Sequence, residues 1–326
     1  MTAMILAVQI ALPLALILWL ALAPAGTLAG FVLQAAGTGF FLFALARVAQ
    51  WALPVWWLPW VYAGLWLAAV LAWLLRKGMN ALPRLPARLP GWVGFALSVV
   101  LLGVGGWYGI RALAGRDLPP VEIVDIANPF GPGRYLVGHG GSNTLVNAHM
   151  RTLDASIERF RPWRGQSYAV DFFGLGPWGL RASGWRPADP AAYAIFGAEL
   201  RAPCDGTVVA AEVGMPDFEV PDSDQVNRLG NHVILRCGDA EIVFAHMRQG
   251  SVRVAPGEMV ATGDRLARSA IPAPRPSRIC TSTPSAPRPR ARPRSPASRW
   301  PCASTAGFSC AGIAFRDRTN DRANRA

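Results

Sequence analysis

The chain has 326 residues, 52% of them apolar, and a formal net charge of +12. That length and composition leave room for a membrane part and one domain of ordinary size. The charge by itself suggests nucleic acid or an anionic surface. From Ser269 onward, however, there are 11 arginines against two aspartates, so +9 of the +12 sits in the tail. The rest is only mildly basic, which takes away most of the support for nucleic acid and leaves it to a basic tail meeting anionic lipid or nucleic acid.

Four apolar stretches fill the first third, at residues 4–23, 28–48, 55–75 and 92–110. Each is close to the roughly 20 residues that cross a bilayer as a helix. Trp51, Trp56, Trp57 and Trp60 cluster where an interfacial aromatic belt is expected. Arg76, Lys77, Arg84 and Arg88 all fall between the third and fourth stretches, which assigns that loop to the cytoplasm. Everything after about Arg116 is then extracytoplasmic, at the outer or periplasmic face of the inner membrane. Residues 1–115 are therefore expected to be a multi-pass membrane region whose partner is the lipid bilayer.

From about Leu118 the texture changes to short β-type runs broken by Gly, Pro and Asp. Residues 122–126, 168–172, 207–212, 232–236 and 241–245 read as strands, residues 138–141 and 174–176 as turns, and 154–160 as a short helix. The expectation is a mainly β domain of antiparallel sheet. Cys204 and Cys237 each lie beside an expected strand, and in an oxidising compartment they form a disulfide if those strands are neighbours.

Beyond Arg268, Pro, Arg and Ser take over and periodicity stops. Such a segment is either a genuine disordered tail that binds acidic partners or text read out of frame. Joining the last base of each codon to the first two of the next lets Arg268 through Ala273 encode Val-Gly-Asn-Ser-Gly. In the same frame Pro276 through Ala286 encode Glu-Pro-His-Leu-His-Ile-His-Ala-Gln-Arg. The junction of Ile279 with Cys280 permits only Leu or Met, and that of Cys280 with Thr281 only His or Tyr. The favoured expectation is a frameshift near Arg268 that removes a His-x-His, leaving residues 269–326 out of frame and disordered.

Residues 166–268 carry, in order, Tyr168-Ala-Val-Asp171, the run Ile195 through Val209, Gly230-Asn-His-Val-Ile-Leu235, Phe244-Ala-His-Met247, Val252 through Gly257 and Gly263-Asp-Arg-Leu266. In that order and spacing they resemble the lysostaphin/LytM-type zinc metallopeptidases, which cut peptide cross-links in bacterial cell walls. The resemblance implies an open β groove, a zinc ion and peptidoglycan stem peptides as substrate, with 116–268 as a truncated peptidase domain. A catalytic zinc takes three protein ligands and keeps a position for water. In the family these are a His, an Asp four residues later and the second His of the His-x-His. Asp171 matches the ligand Asp, and His246 matches a histidine that assists catalysis.

Four residues before Asp171 this chain has Ser167 instead of His. His149 is the candidate replacement ligand, the alternative being a solvent-exposed loop histidine. His139, between two glycines, and His232 are expected to have no catalytic role. With the His-x-His unread, the resemblance implies a peptidase that is inactive as it stands. The alternative is a metal-free module that binds murein or activates another hydrolase.

Overall fold

The computed structural model describes residues 2–77, 83–121, 123–224, 226–270, 277–282 and 313–315. The chain divides after Ala114 into two units.

In the first unit, α1 (Thr2–Ile5) continues through a π-helical segment, Leu6–Ala11, into α2 (Leu12–Leu22). Then come α3 (Leu28–Val48), α4 (Leu58–Lys77) and α5 (Leu89–Ala114). Among the described residues four helices are long and apolar enough to cross a membrane: Ala3–Leu22, Leu28–Val48, Leu58–Arg76 and Leu89–Ala114. Several of the polar side chains buried among them bond to the backbone. Thr27 caps α3 by accepting from Gly30 N, and Gln34 bridges the α2–α3 turn. The Gln34 amide donates to Ala23 O, at the end of α2, and to Trp19 O, which also accepts from Ala23 N, and it accepts from Ala25 N. The tryptophan cluster divides. Trp57 and Trp60 are exposed, whereas Trp51 is buried against Tyr62 with its Nε1 donating to Ala46 O. Trp51 therefore packs against the helices, while Trp57 and Trp60 keep exposed rings.

The second unit is antiparallel β structure. Its main sheet has seven strands: β2 (Tyr135–His139), β3 (Val170–Gly174), β5 (Gly206–Glu212), β6 (Asn231–Cys237), β7 (Ala240–Met247), β8 (Met259–Val260) and β10 (Ser277–Ser282). Their order across the sheet is β2-β3-β10-β7-β6-β5-β8. Two smaller pairings flank it, β4 (Glu199–Arg201) with β9 (Arg265–Arg268), and β1 (Val124–Ile126) in parallel with β11 (Ile313–Phe315). The strands expected at 207–212, 232–236 and 241–245 lie within β5, β6 and β7. Glu122, expected to start a strand, lies outside the described residues.

Alternation builds the core. Val233, Leu235 and Cys237 point inward from β6, and Ile242 and Phe244 from β7, onto Val170, Leu200, Val208 and Leu266. Cys204 and Cys237 are joined, with Cα atoms 5.9 Å apart, tying the approach to β5 to the end of β6. The side chain of Arg181 lies over the rings of Phe173 and Tyr193, and burial lowers its pKa.

The expected helix at 154–160 is not formed: its first residues lie between two 3₁₀ segments, Ala148–Leu153 and Glu158–Gln166, and its last three fall in the second. Asp154 ends the first of them, its carboxylate accepting from the Ser156 amide in a local turn that competes with helix. The expectation of a disordered tail concerns residues that for the most part lie outside the described ones. Two described pieces of that tail run as strands, and β10 occupies an interior position between β3 and β7.

Candidate metal centre

Asp171 is the second residue of β3 and only 2% exposed. Its strand is bordered by β2 and β10, with His139 opposite it in one ladder and Arg278 in the other. A buried carboxylate is costly unless it is compensated. Here the compensating group is His149, whose Nε2 lies 3.1 Å from Asp171 Oδ2, with side-chain exposures of 9% and 2%. Although close enough for an ion pair, His149 Nε2 makes no hydrogen bond. The two groups thus lie side by side with the imidazole edge misaligned on the carboxylate.

His149 reaches β3 from the 3₁₀ turn 148–153, and its main chain is held on both sides. Asn147, fully buried, accepts from His149 N through Oδ1 while its Nδ2 donates to Gly141 O and Ala169 O. Ala169 immediately precedes β3, so one amide side chain fastens the His149 turn to the strand that bears Asp171. On the carbonyl side, Thr152 Oγ1 lies 2.8 Å from His149 O, and Ser167 Oγ lies 2.7 Å from Thr152 Oγ1. Ser167 is itself 1% exposed and fills space inside this corner.

His139 stands beside this pair, its ring edge-on to that of His149 with centroids 6.0 Å apart. The sequence carries no signal for it, since its neighbours are glycines. What brings it here is a register shift in the β2–β3 ladder between Val137 and His139, which no residue pattern announces.

His246 is one residue short of the end of β7 and has a left-handed backbone, φ 62°. Its N donates to Leu229 O and its O accepts from Ala270 N, contacts that hold the conformation. It lines a small open cleft with Asp217, Phe218, Asp222 and Asp224. One strand, β10, separates β7 from β3, so the backbones carrying His246 and Asp171 are about 10 Å apart. His232 on β6 has its Nδ1 2.8 Å from Gly230 O, a local contact in which the ring donates.

The structure therefore brings together His149, Asp171 and His139, and leaves His246 and His232 on other strands. Among the described residues no three His, Cys, Asp or Glu side chains are arranged to hold one metal ion. His149 and Asp171 bring one imidazole and one carboxylate to within 3.1 Å of each other, donor types that zinc accepts but too few to hold it. A third donor is not found among the described residues.

No family model matches the chain, and no curated protein does. Among solved structures it is similar to a Pseudomonas aeruginosa protein described as a candidate peptidase M23, at 14% identity and a TM-score of 0.25 over 55% of this chain and 54% of that one. It is also similar to Csd3 of Helicobacter pylori, at 17% identity and a TM-score of 0.20 over 50% of this chain and 30% of that one. A zinc-containing peptidase from Vibrio cholerae matches at 14% identity and a TM-score of 0.18, over 46% of this chain and 67% of that one. The chain thus spans between 30% and 67% of the length of these three structures.

Proposed function

We propose that the chain is a membrane-anchored zinc endopeptidase of the lysostaphin/LytM kind whose metal centre is incomplete as it stands. The observation that carries this is the buried pair of His149 and Asp171, with Asp171 standing in the Tyr-Ala-Val-Asp segment on which the sequence resemblance rests. A bound zinc supplies an acidified water and polarises a peptide carbonyl. Asp171 and His149 are the residues that hold it, and His246 is the group that moves a proton or steadies the developing oxyanion. The substrate is the peptide of peptidoglycan. The four helices anchor the protein in the inner membrane, with the β unit on the extracytoplasmic side by the charge of the 76–88 loop. No nucleic acid is involved.

The missing ligand has a natural position. Strand β10 runs between the strands of Asp171 and His246, and the codons for its residues can encode His-Leu-His in the neighbouring frame. A one-base repair near the codon for Arg268 tests the reading. The repaired, detergent-solubilised protein is expected to hold one zinc per chain and to release peptides from purified murein, whereas the present chain does neither efficiently. Repaired protein that holds zinc no better than the present chain and leaves murein uncut overturns it.

A second reading draws on Ser167 and on the two-donor centre. It makes the chain a metal-free module that binds murein or activates another hydrolase. Repaired protein that binds murein sacculi in a pull-down, with no zinc and no cleavage, selects that reading.

A further inference from the structure

We infer that Arg181 is an anion-binding residue, whose guanidinium takes a carboxylate on the face of the main sheet that also bears Asp171. The site needs no metal and draws on neither His149 nor His246.

Strand β3 sets its place. Val170 and Phe172 point into the core, so Asp171 and Phe173, which alternate with them, lie on the opposite face. The two are about 7 Å apart along the strand. The Phe173 ring lies against Gly138 of β2, where an added Cβ would come within 2.3 Å of Phe173 Cε2. Arg181 reaches this ring from the segment that follows β3. Its carbonyl accepts from Ala194 N, Ser183 N donates to Ala192 O, and Ala182 bridges to Tyr193. With the backbone held in this way, Arg181 Cζ lies 5.9 Å from the centre of the Phe173 ring and 5.5 Å from that of Tyr193.

Aromatic faces attract a guanidinium but do not neutralise it. Elsewhere in the β unit carboxylates do that: Arg201 and Arg265 meet Glu199, and Arg236 meets Glu241. Among the described residues no carboxylate forms an ion pair with Arg181. Burial lowers its pKa, and the nearby charge of Arg186 adds to that. Its Nε is buried with no hydrogen-bond partner. A cation held out of water beside another cation is unfavourable, and an anion laid against it supplies both the opposite charge and the acceptors. The residue is half-buried, and of its nitrogens only Nε is both enclosed and unbonded. A ligand therefore reaches the guanidinium from the Nη side. Two N–H groups run parallel there, the fork that the two oxygens of a carboxylate match. Phosphate shares that chemistry, and the test separates the two.

The test uses the full chain in detergent. The probes are N-acetyl-dialanine with a free carboxylate, the same peptide as its amide, and inorganic phosphate. One readout is affinity, by calorimetry. The other is the rate at which phenylglyoxal modifies Arg181, mapped by mass spectrometry against the exposed Arg253. The acid is expected to bind about tenfold more tightly than the amide, the scale of one hydrogen bond to a charged group. It is also expected to slow modification of Arg181 and leave Arg253 unchanged. Arg181→Met is expected to abolish the preference for acid over amide. Arg181→Lys, which keeps the charge without the fork, is expected to retain only part of it. Equal binding of acid and amide by the wild type overturns the inference, as does an Arg181 that the acid leaves unprotected. Phosphate that protects Arg181 where the acid does not overturns the assignment to a carboxylate. Protection is measured on wild-type protein, so a variant that fails to fold leaves the decision intact.

Discussion

His149 Nε2 and Asp171 Oδ2 are 3.1 Å apart, both side chains are less than one-tenth exposed, and the imidazole nitrogen makes no hydrogen bond. An interaction of this kind is strong only in company. Truncating one partner of a buried polar pair leaves the other uncompensated, at a cost of about 1–3 kcal/mol. His149→Ala is therefore expected to destabilise the β unit by about 1–3 kcal/mol, and His149→Ala with Asp171→Asn by less than the sum of the two single changes. Denaturant unfolding in detergent, followed by near-ultraviolet circular dichroism, measures the cycle. Strict additivity would mean that the two groups are neighbours without being coupled.

How much of this was legible beforehand differs by residue. The four long helices follow from composition, and β6 and β7 from an alternation that buries Val233, Leu235, Ile242 and Phe244. Asp171 was reached through resemblance, and His149 by noticing that Ser167 left a ligand unaccounted for. His139 was out of reach, because its place opposite Asp171 depends on a bulge. Residues 277–282 were equally unreadable as a strand, for Ser-Arg-Ile-Cys-Thr-Ser within Arg/Pro-rich text shows no apolar alternation. The disulfide needed the pairing of β5 with β6, which no spacing of cysteines supplies.

That disulfide carries its own expectation. Cys204 and Cys237 close a loop with a sequence separation of 33. By the chain-entropy relation such a cross-link stabilises by about 3–4 kcal/mol. Cys204→Ala with Cys237→Ala is expected to lower the unfolding midpoint of the β unit and leave the helical unit as it was. In intact cells both cysteines are expected to resist maleimide until reductant is added. Immediate labelling of both would put the β unit in a reducing compartment and contradict the extracytoplasmic assignment.

Helices α3 and α5 touch through backbone. A Cβ added at Gly105 would lie 2.5 Å from Phe41 N and 2.6 Å from Phe40 C, and one at Gly37 would lie 2.5 Å from Ser98 O. These contacts are with main chain, which cannot rotate away. Gly105→Ala is expected to push the helices apart at a cost of about 1–3 kcal/mol. Gly103, with nothing within 4 Å, provides the control, and Gly103→Ala is expected to be harmless. Thermal stability in detergent, compared between the two variants, checks the pair. Equal behaviour would mean that α3 and α5 do not pack in this way.

The loop beside the His246 cleft should respond to acid through Asp224. Its carboxylate accepts from the Val226 and Asn227 amides and from the Asn227 side chain, and these hydrogen bonds, backbone first, hold its pKa below the ordinary 3.8. A group depressed on folding contributes order that is fully present above its unfolded value and is lost as pH falls through its folded one. The loop is therefore expected to stay closed as pH falls to 3.8 and to open only at more acidic values. Asp224→Ala removes the acceptor and should open it at every pH. Hydrogen exchange at Val226 and Asn227 reads this directly, with wild type protected at neutral pH and Asp224→Ala not. Equal protection in the two at neutral pH would mean that the carboxylate does not order the rim of the cleft.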